Sequence, residues 1–79
     1  MAQRTTADER YSRQELAEYF QTLANAFGNG EESISVPVGN KSVRLSPPDD
    51  VDLSVDVVER SSRLRGNYEQ LELELSWKP

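Results

Sequence analysis

Apolar residues recur at helical spacing in the first third of the chain. They form one stripe with steps of three or four, made of Leu16, Phe20, Leu23, Ala24 and Phe27, which is the pattern of one face of an amphipathic helix. Ser12 precedes the stripe, and Glu15 lies three residues after Ser12, which is the spacing of a capping box. Gly28 comes next after the stripe and can adopt the left-handed conformation that ends many helices. The pattern therefore predicts a helix over 13–27.

After Gly30 the apolar period changes from 3.6 to 2. Four segments alternate between apolar and polar residues, at about 33–38, 42–45, 51–57 and 70–77. Such alternation is typical of antiparallel strands with one buried face. Gly39 and Asn40 predict a two-residue hairpin turn between the first two strands. Pro37 indicates that the first strand is an edge, or that the proline nitrogen faces outward.

One helix and four strands in this order predict an α+β fold, in which the N-terminal helix packs on a four-stranded antiparallel meander sheet. Leu71, Leu73, Leu75 and Trp77 share one face of the last strand and are expected to form a wall of the core. Tyr68 is out of phase with them and is expected on the polar face. The polar segment 59–67 is interpreted as a connection between the last two strands.

The chain is long enough for one core, at 79 residues. Residues 1–10 are polar and without periodicity, and we interpret them as a mobile N-terminal arm. Residues 11–79 then form a single domain. No segment approaches the ~20 apolar residues of a membrane span, and the N-terminus lacks the apolar run of a signal peptide. We therefore expect no membrane contact and a cytoplasmic location.

Composition removes several classes of function. The chain has no cysteine and no histidine, which excludes disulfides and thiolate metal sites and removes the commonest general base. We expect no catalytic residues, no metal and no cofactor, and hence not an enzyme. The 14 Asp and Glu against 9 Lys and Arg give a net charge of −5. This balance argues against a nucleic-acid partner, because such binding depends on neutralising phosphates.

The terminal segment 71–77, Leu-Glu-Leu-Glu-Leu-Ser-Trp, resembles the amphi-Trp domain family, which is named for this amphipathic strand and its closing tryptophan. Supporting matches are the Ser12/Glu15 helix start, the Gly30-Glu31 step, and the segment 45–48 before an acidic, valine-rich strand. The resemblance covers about residues 11–77. It implies a haloarchaeal, cytoplasmic setting and no known activity. In molar salt the Debye length is only about 3 Å, so clustered carboxylates repel one another less.

The last strand offers one candidate partner-binding site, consisting of Glu72, Glu74 and Trp77. In a sheet ordered as the chain, this strand is an edge without proline, and such an edge can pair with another strand. Trp77 is an alternative anchor for a partner, although its phase with the leucines favours a place in the core. The two glutamates belong to an acidic outer face that is interpreted either as a partner surface or as a solvated face.

A second candidate site is the arginine-rich connection, with Arg60, Arg63 and Arg65. Arginine pairs in bidentate fashion with carboxylate or phosphate, and Tyr68 offers a surface on which a base can stack. The alternative is a turn whose arginines pair with nearby acids.

Two functions remain open from the sequence. The first is a non-enzymatic protein-interaction module in a high-salt cytoplasm, acting on a protein partner or by self-association through the edge of the terminal strand. The second is an anionic-ligand or RNA-binding module that uses Arg60, Arg63 and Arg65.

Overall fold

The structure, a computed structural model, describes residues 3–79 and contains one helix and four strands. The elements are α1 (Arg13–Gly28), β1 (Ile34–Val38), β2 (Lys41–Leu45), β3 (Asp52–Ser62) and β4 (Gly66–Ser76). β1 pairs with β2 and β3 pairs with β4, both antiparallel, in two separate two-stranded sheets. The chain divides into two compact units, Met1–Pro47 and Pro48–Pro79. The α+β class is confirmed, and the single domain over 11–79 stays a prediction.

The prediction of one four-stranded meander sheet is wrong, because strand pairing stops after each hairpin. β2 ends at Leu45 and β3 begins at Asp52, so six residues separate them, including Pro47 and Pro48. Proline fixes its own φ, lacks an N–H donor and restricts the residue before it to extended conformations. Two adjacent prolines therefore give a stiff connection rather than the tight turn that brings consecutive strands together.

The capping box at the start of α1 is confirmed. The Glu15 backbone N–H donates to Ser12 Oγ at 3.1 Å, and the Ser12 backbone N–H donates to Glu15 Oε1 at 3.0 Å. Two hydrogen bonds hold the pKa of Glu15 below its usual value. The larger contribution comes from the Ser12 backbone N–H and the smaller from the Ser12 side chain. These bonds satisfy backbone donors that a helix N-terminus otherwise leaves without partners.

The other end of α1 differs from the prediction. Gly28 is the last helical residue, and Asn29 closes the helix with right-handed backbone angles and an N–H bond to Asn25 O. Gly28 is not left-handed, whereas Gly30 is, with φ at 71°. The chain therefore reverses two residues later than the pattern of apolar positions indicates.

The packed face of α1 is rotated from the predicted stripe. Its half-buried residues are Tyr19, Leu23, Ala26 and Phe27, while Leu16 and Phe20 remain about 40% exposed. The Tyr19 hydroxyl donates to the backbone carbonyl of Pro37 at 2.8 Å, which connects α1 to β1. A tyrosine counts as polar in the periodicity, yet its ring packs and its hydroxyl finds a partner.

The β1–β2 hairpin agrees with its predicted turn. Gly39 and Asn40 connect the strands, and Gly39 has φ at 63°, a region that favours glycine. In a hairpin with a two-residue turn, the pair next to the turn, here Val38 and Lys41, is hydrogen-bonded. Hydrogen-bonded and non-hydrogen-bonded pairs alternate, so Pro37 and Ser42 form a non-hydrogen-bonded pair. A proline is tolerated there because the ladder needs no N–H from that residue. The outward carbonyl of Pro37 is then available to Tyr19.

The core of this unit centres on Ile34, which is 4% exposed and is the one buried side chain among residues 3–79. Ile34 lies opposite Leu45, and Val36 lies opposite Val43. The N-terminal arm comes close to the same hairpin. A Cβ placed on Gly39 would lie 3.2 Å from Ala7 Cβ. Mobility of the arm stays a prediction, and its first two residues lie outside the described part of the chain.

Candidate interaction surface on the β3–β4 hairpin

The β3–β4 hairpin is long and regular. Its register is unbroken from Asp52 opposite Ser76 to Ser62 opposite Gly66, eleven pairs in all. The interpretation of 59–67 as a connection is therefore wrong, since most of that segment lies in strands. Polar residues can occupy a strand when both faces are exposed, because the backbone ladder does not require apolar side chains.

Three residues, 63–65, form the turn between β3 and β4. The backbone N–H groups of Leu64 and Arg65 donate to Ser62 Oγ at 3.3 and 3.2 Å. Gly66 follows with φ at 81°, which an L side chain rarely adopts. Leu64 is 98% exposed at the tip. The hydroxyl of Ser62 and the backbone of Gly66 together define where the turn closes.

One face of the hairpin is apolar, and we call it the apolar face. It contains three directly opposed pairs: Leu53 and Leu75, Val55 and Leu73, and Val57 and Leu71. These six side chains are 45–62% exposed. The predicted alternation is confirmed by the register, but the leucines of β4 do not lie in a buried core in this structure. Trp77 follows the end of β4 and is half-buried.

The opposite face of the hairpin is polar apart from Val58, which lies opposite Gln70, and it carries the predicted acidic residues. Asp56 lies directly opposite Glu72, whereas Glu74 lies opposite Ser54. Gln70 donates a side-chain hydrogen bond to Glu72. Tyr68 lies on this face, as predicted, because no bulge interrupts the alternation.

A second pair of opposed carboxylates was not predicted from the sequence. Glu59 lies directly opposite Glu69, on the same side of the hairpin as the apolar face and next to Val57 and Leu71. This pair could have been predicted only from the register of β3 with β4 beyond residue 57. The apolar face therefore ends in two carboxylates on the side of the turn.

The three predicted arginines occupy two kinds of position. Arg60 lies in β3 opposite Tyr68, and Arg65 lies in the turn. Both line one open groove together with Tyr68 and Gln70, and no carboxylate is among its lining residues. Arg63 is in the turn but does not line the groove. The structure thus brings two of the three arginines to one concave surface.

Each strand of the hairpin pairs on one side only. β3 and β4 therefore both have an outer edge of eleven residues, and neither edge contains proline. The predicted free edge of the terminal strand is present, and β3 has one as well. Unpaired edges of this kind can accept another strand unless side-chain charge prevents it.

Residues 3–79 contain no group of three or more Asp or Glu side chains placed to hold a metal ion. Within the same residues, no helix has the length and apolar character that crossing a membrane requires.

The opposed Asp56 and Glu72 predict a salt-dependent hairpin. Like charges directly opposite each other in a sheet destabilise it, by about 0.2–1 kcal/mol. We expect Glu72→Gln, which keeps an acceptor for Gln70, to stabilise the hairpin by about this amount at low salt. In ~2 M KCl the gain should disappear as the charges are screened. Trp77 is the one tryptophan of the chain, so its fluorescence during urea unfolding reports on this unit.

The matched control is Glu74→Gln, two residues along the same face but opposite the neutral Ser54. It should change the free energy of unfolding less than Glu72→Gln does. Equal effects of the two substitutions, or a gain that persists in high salt, would contradict the cross-strand repulsion.

Comparison with known protein families gives a match over nearly the whole chain. A family model described as the Amphi-Trp domain matches residues 2–79. Searches of the curated proteins and of the solved structures found no significant match.

Proposed function

The chain belongs to the Amphi-Trp domain family, and within it we propose a non-enzymatic protein-interaction module that self-associates through its β3–β4 hairpin. The observation that carries the proposal is the apolar face, six aliphatic side chains that stay about half exposed on a two-stranded sheet. We propose a second copy of the chain as the partner that covers this face.

A two-stranded hairpin is marginally stable by itself in water, and gains independent stability when its apolar face is covered. Among residues 3–79, no third strand joins the sheet formed by β3 and β4. The apolar face is also continuous, since its three opposed pairs follow one another without a polar interruption. Contiguous exposed apolar surface on a soluble protein marks an interaction site. These features favour an interaction role over chemistry.

The size of the apolar face suits a second copy. Burying a Val or Leu side chain completely is worth about 1.5–3 kcal/mol, so each half-exposed one offers roughly 1 kcal/mol. Two copies with six such side chains each then gain about 12 kcal/mol. Association costs about 4–15 kcal/mol in lost freedom. The gain is of the same order as the cost, so we expect association to depend on protein concentration.

The setting that we propose is a cytoplasm of high salt. The support comes from the two opposed carboxylate pairs, Asp56 with Glu72 and Glu59 with Glu69, in a chain of net charge −5. Such pairs cost least where salt screens them. Binding of an anionic ligand or RNA at Arg60, Arg63 and Arg65 stays a prediction.

Sedimentation equilibrium tests the proposal directly. Across ~1 µM to 1 mM protein, the apparent mass should rise from one copy toward two. The rise should be steeper in ~2 M KCl than at low salt, because screening reduces repulsion between two acidic chains. A strict monomer over the whole range in both salts would refute self-association.

A further inference from the structure

We propose that the two copies stack their apolar faces with their hairpins running in opposite directions. The turn of each hairpin then lies over the open end of the other. This inference rests on the proposed self-association and adds its geometry, together with the residues that select it.

Charged residues flank the apolar face at both ends of the hairpin. The turn carries Arg63 and Arg65, and Asp49 and Asp50 precede the open end. Stacking in opposite directions places each basic turn near the acidic open end of the second copy. Stacking in the same direction places arginines near arginines and aspartates near aspartates. Electrostatic complementarity of this kind fixes the relative orientation of two partners.

The glutamate pair on the apolar side selects the same arrangement. Glu59 and Glu69 lie one pair beyond Val57 and Leu71 toward the turn. Packed sheets lie about 10 Å apart. In same-direction stacking, these two carboxylates would face the same two of the second copy across a partly dehydrated space. This repulsion disfavours same-direction stacking, and repulsion built against an alternative arrangement is a common source of binding specificity.

In opposite-direction stacking the glutamates meet no carboxylates on the facing side. A two-fold axis that passes over Val55 and Leu73, the central pair of the apolar face, brings Glu59 and Glu69 over Val51 and Trp77 of the second copy. The aliphatic parts of the glutamates can cover these residues while their carboxylates reach water at the rim. The six aliphatic side chains of one copy remain fully opposed to those of the other.

The two arrangements predict different cross-links. With the two-fold axis over Val55, Leu53 of one copy faces Val57 of the other. In the same-direction alternative, Leu53 and Val57 each lie at the same position along the strand direction as the same residue of the second copy. Four residues along a strand span about 13 Å, so a short thiol-reactive cross-linker distinguishes the two cases. The chain has no natural cysteine to interfere.

Three single variants make the experiment: Val55→Cys, Leu53→Cys and Val57→Cys, with an affinity tag on one copy so that mixed dimers separate by size. Val55→Cys should cross-link to itself. A mixture of Leu53→Cys and Val57→Cys should give mixed dimers about fivefold or more in excess of either self-linked dimer, given the offset along the strand.

The outcomes separate the two proposals. If Val55→Cys does not cross-link and the chain sediments as a monomer, self-association itself fails. Coverage of the apolar face by α1 of the same chain would give this outcome. If Val55→Cys cross-links but Leu53→Cys and Val57→Cys each link to themselves, the dimer stands and its opposite-direction stacking is overturned.

Discussion

Leu73→Glu should abolish the proposed self-association and leave the chain a monomer. Leu73 lies opposite Val55 in the central pair of the apolar face, the surface from which the proposed second copy would exclude water. A carboxylate there loses hydration without gaining a partner, and the two-fold axis doubles the loss. A penalty of about 3 kcal/mol or more raises the dissociation constant at least ~100-fold. Sedimentation equilibrium at matched protein concentrations measures the shift.

Leu64→Glu is the matched control for this substitution. It makes the same chemical change at the tip of the turn, where the side chain is 98% exposed and lies outside the apolar face. Its dissociation constant should equal that of the unmodified chain. Far-UV circular dichroism should show α1 intact in both variants. If Leu73→Glu still dimerises normally, or if Leu64→Glu weakens the dimer equally, the apolar face is not the contact surface.

Ile34→Ala should be the most destabilising single truncation in the unit Met1–Pro47. Ile34 is 4% exposed and lies opposite Leu45, so its removal leaves a cavity as well as lost burial. Such truncations cost about 2–5 kcal/mol. That is a large share of the stability of a small unit. Urea unfolding followed by the circular dichroism of α1 measures the loss.

Leu16→Ala provides the comparison, since it removes a similar number of carbons from a side chain that is 42% exposed. Its cost should be less than half that of Ile34→Ala. Equal costs would mean that the unit has no single centre at Ile34 and that the exposed face of α1 is buried in solution.

The local features of the fold were predictable because each depends on residues close in sequence. The capping box needs only Ser12 and Glu15, and the first hairpin needs only Gly39 and Asn40 between two alternating segments. Helix caps and two-residue turns are determined within a few residues. The helix face was predicted less well, because Tyr19 packs through its ring while its hydroxyl bonds to Pro37.

The pairing of strands was harder to predict. Alternation shows which side chains share a face, but it does not show which strands are neighbours. The alternating segments predict one meander sheet that continues past the prolines at 47 and 48, whereas the structure has a separate sheet on each side of them. The length of β3 and β4 was missed because residues 59–62 contain no apolar residue to continue the pattern.

The candidate surface shows the same limit. The acidic face and Tyr68 followed from phase alone and were correct. The Glu59/Glu69 pair required the register, and the exposure of the leucines required knowing that β3 and β4 form a sheet of their own. A sequence pattern indicates that a face is apolar, but only the arrangement of elements determines what covers it.

The turn at 63–65 sets the strand register of the hairpin. The hydroxyl of Ser62 and the left-handed Gly66 determine where the turn closes, and the unbroken register carries that choice along all eleven pairs. A slip of one residue would turn the leucines of β4 to the side where β3 presents its aspartates. The side of the hairpin on which the leucines lie is therefore determined at the turn, far along the strands from the leucines themselves.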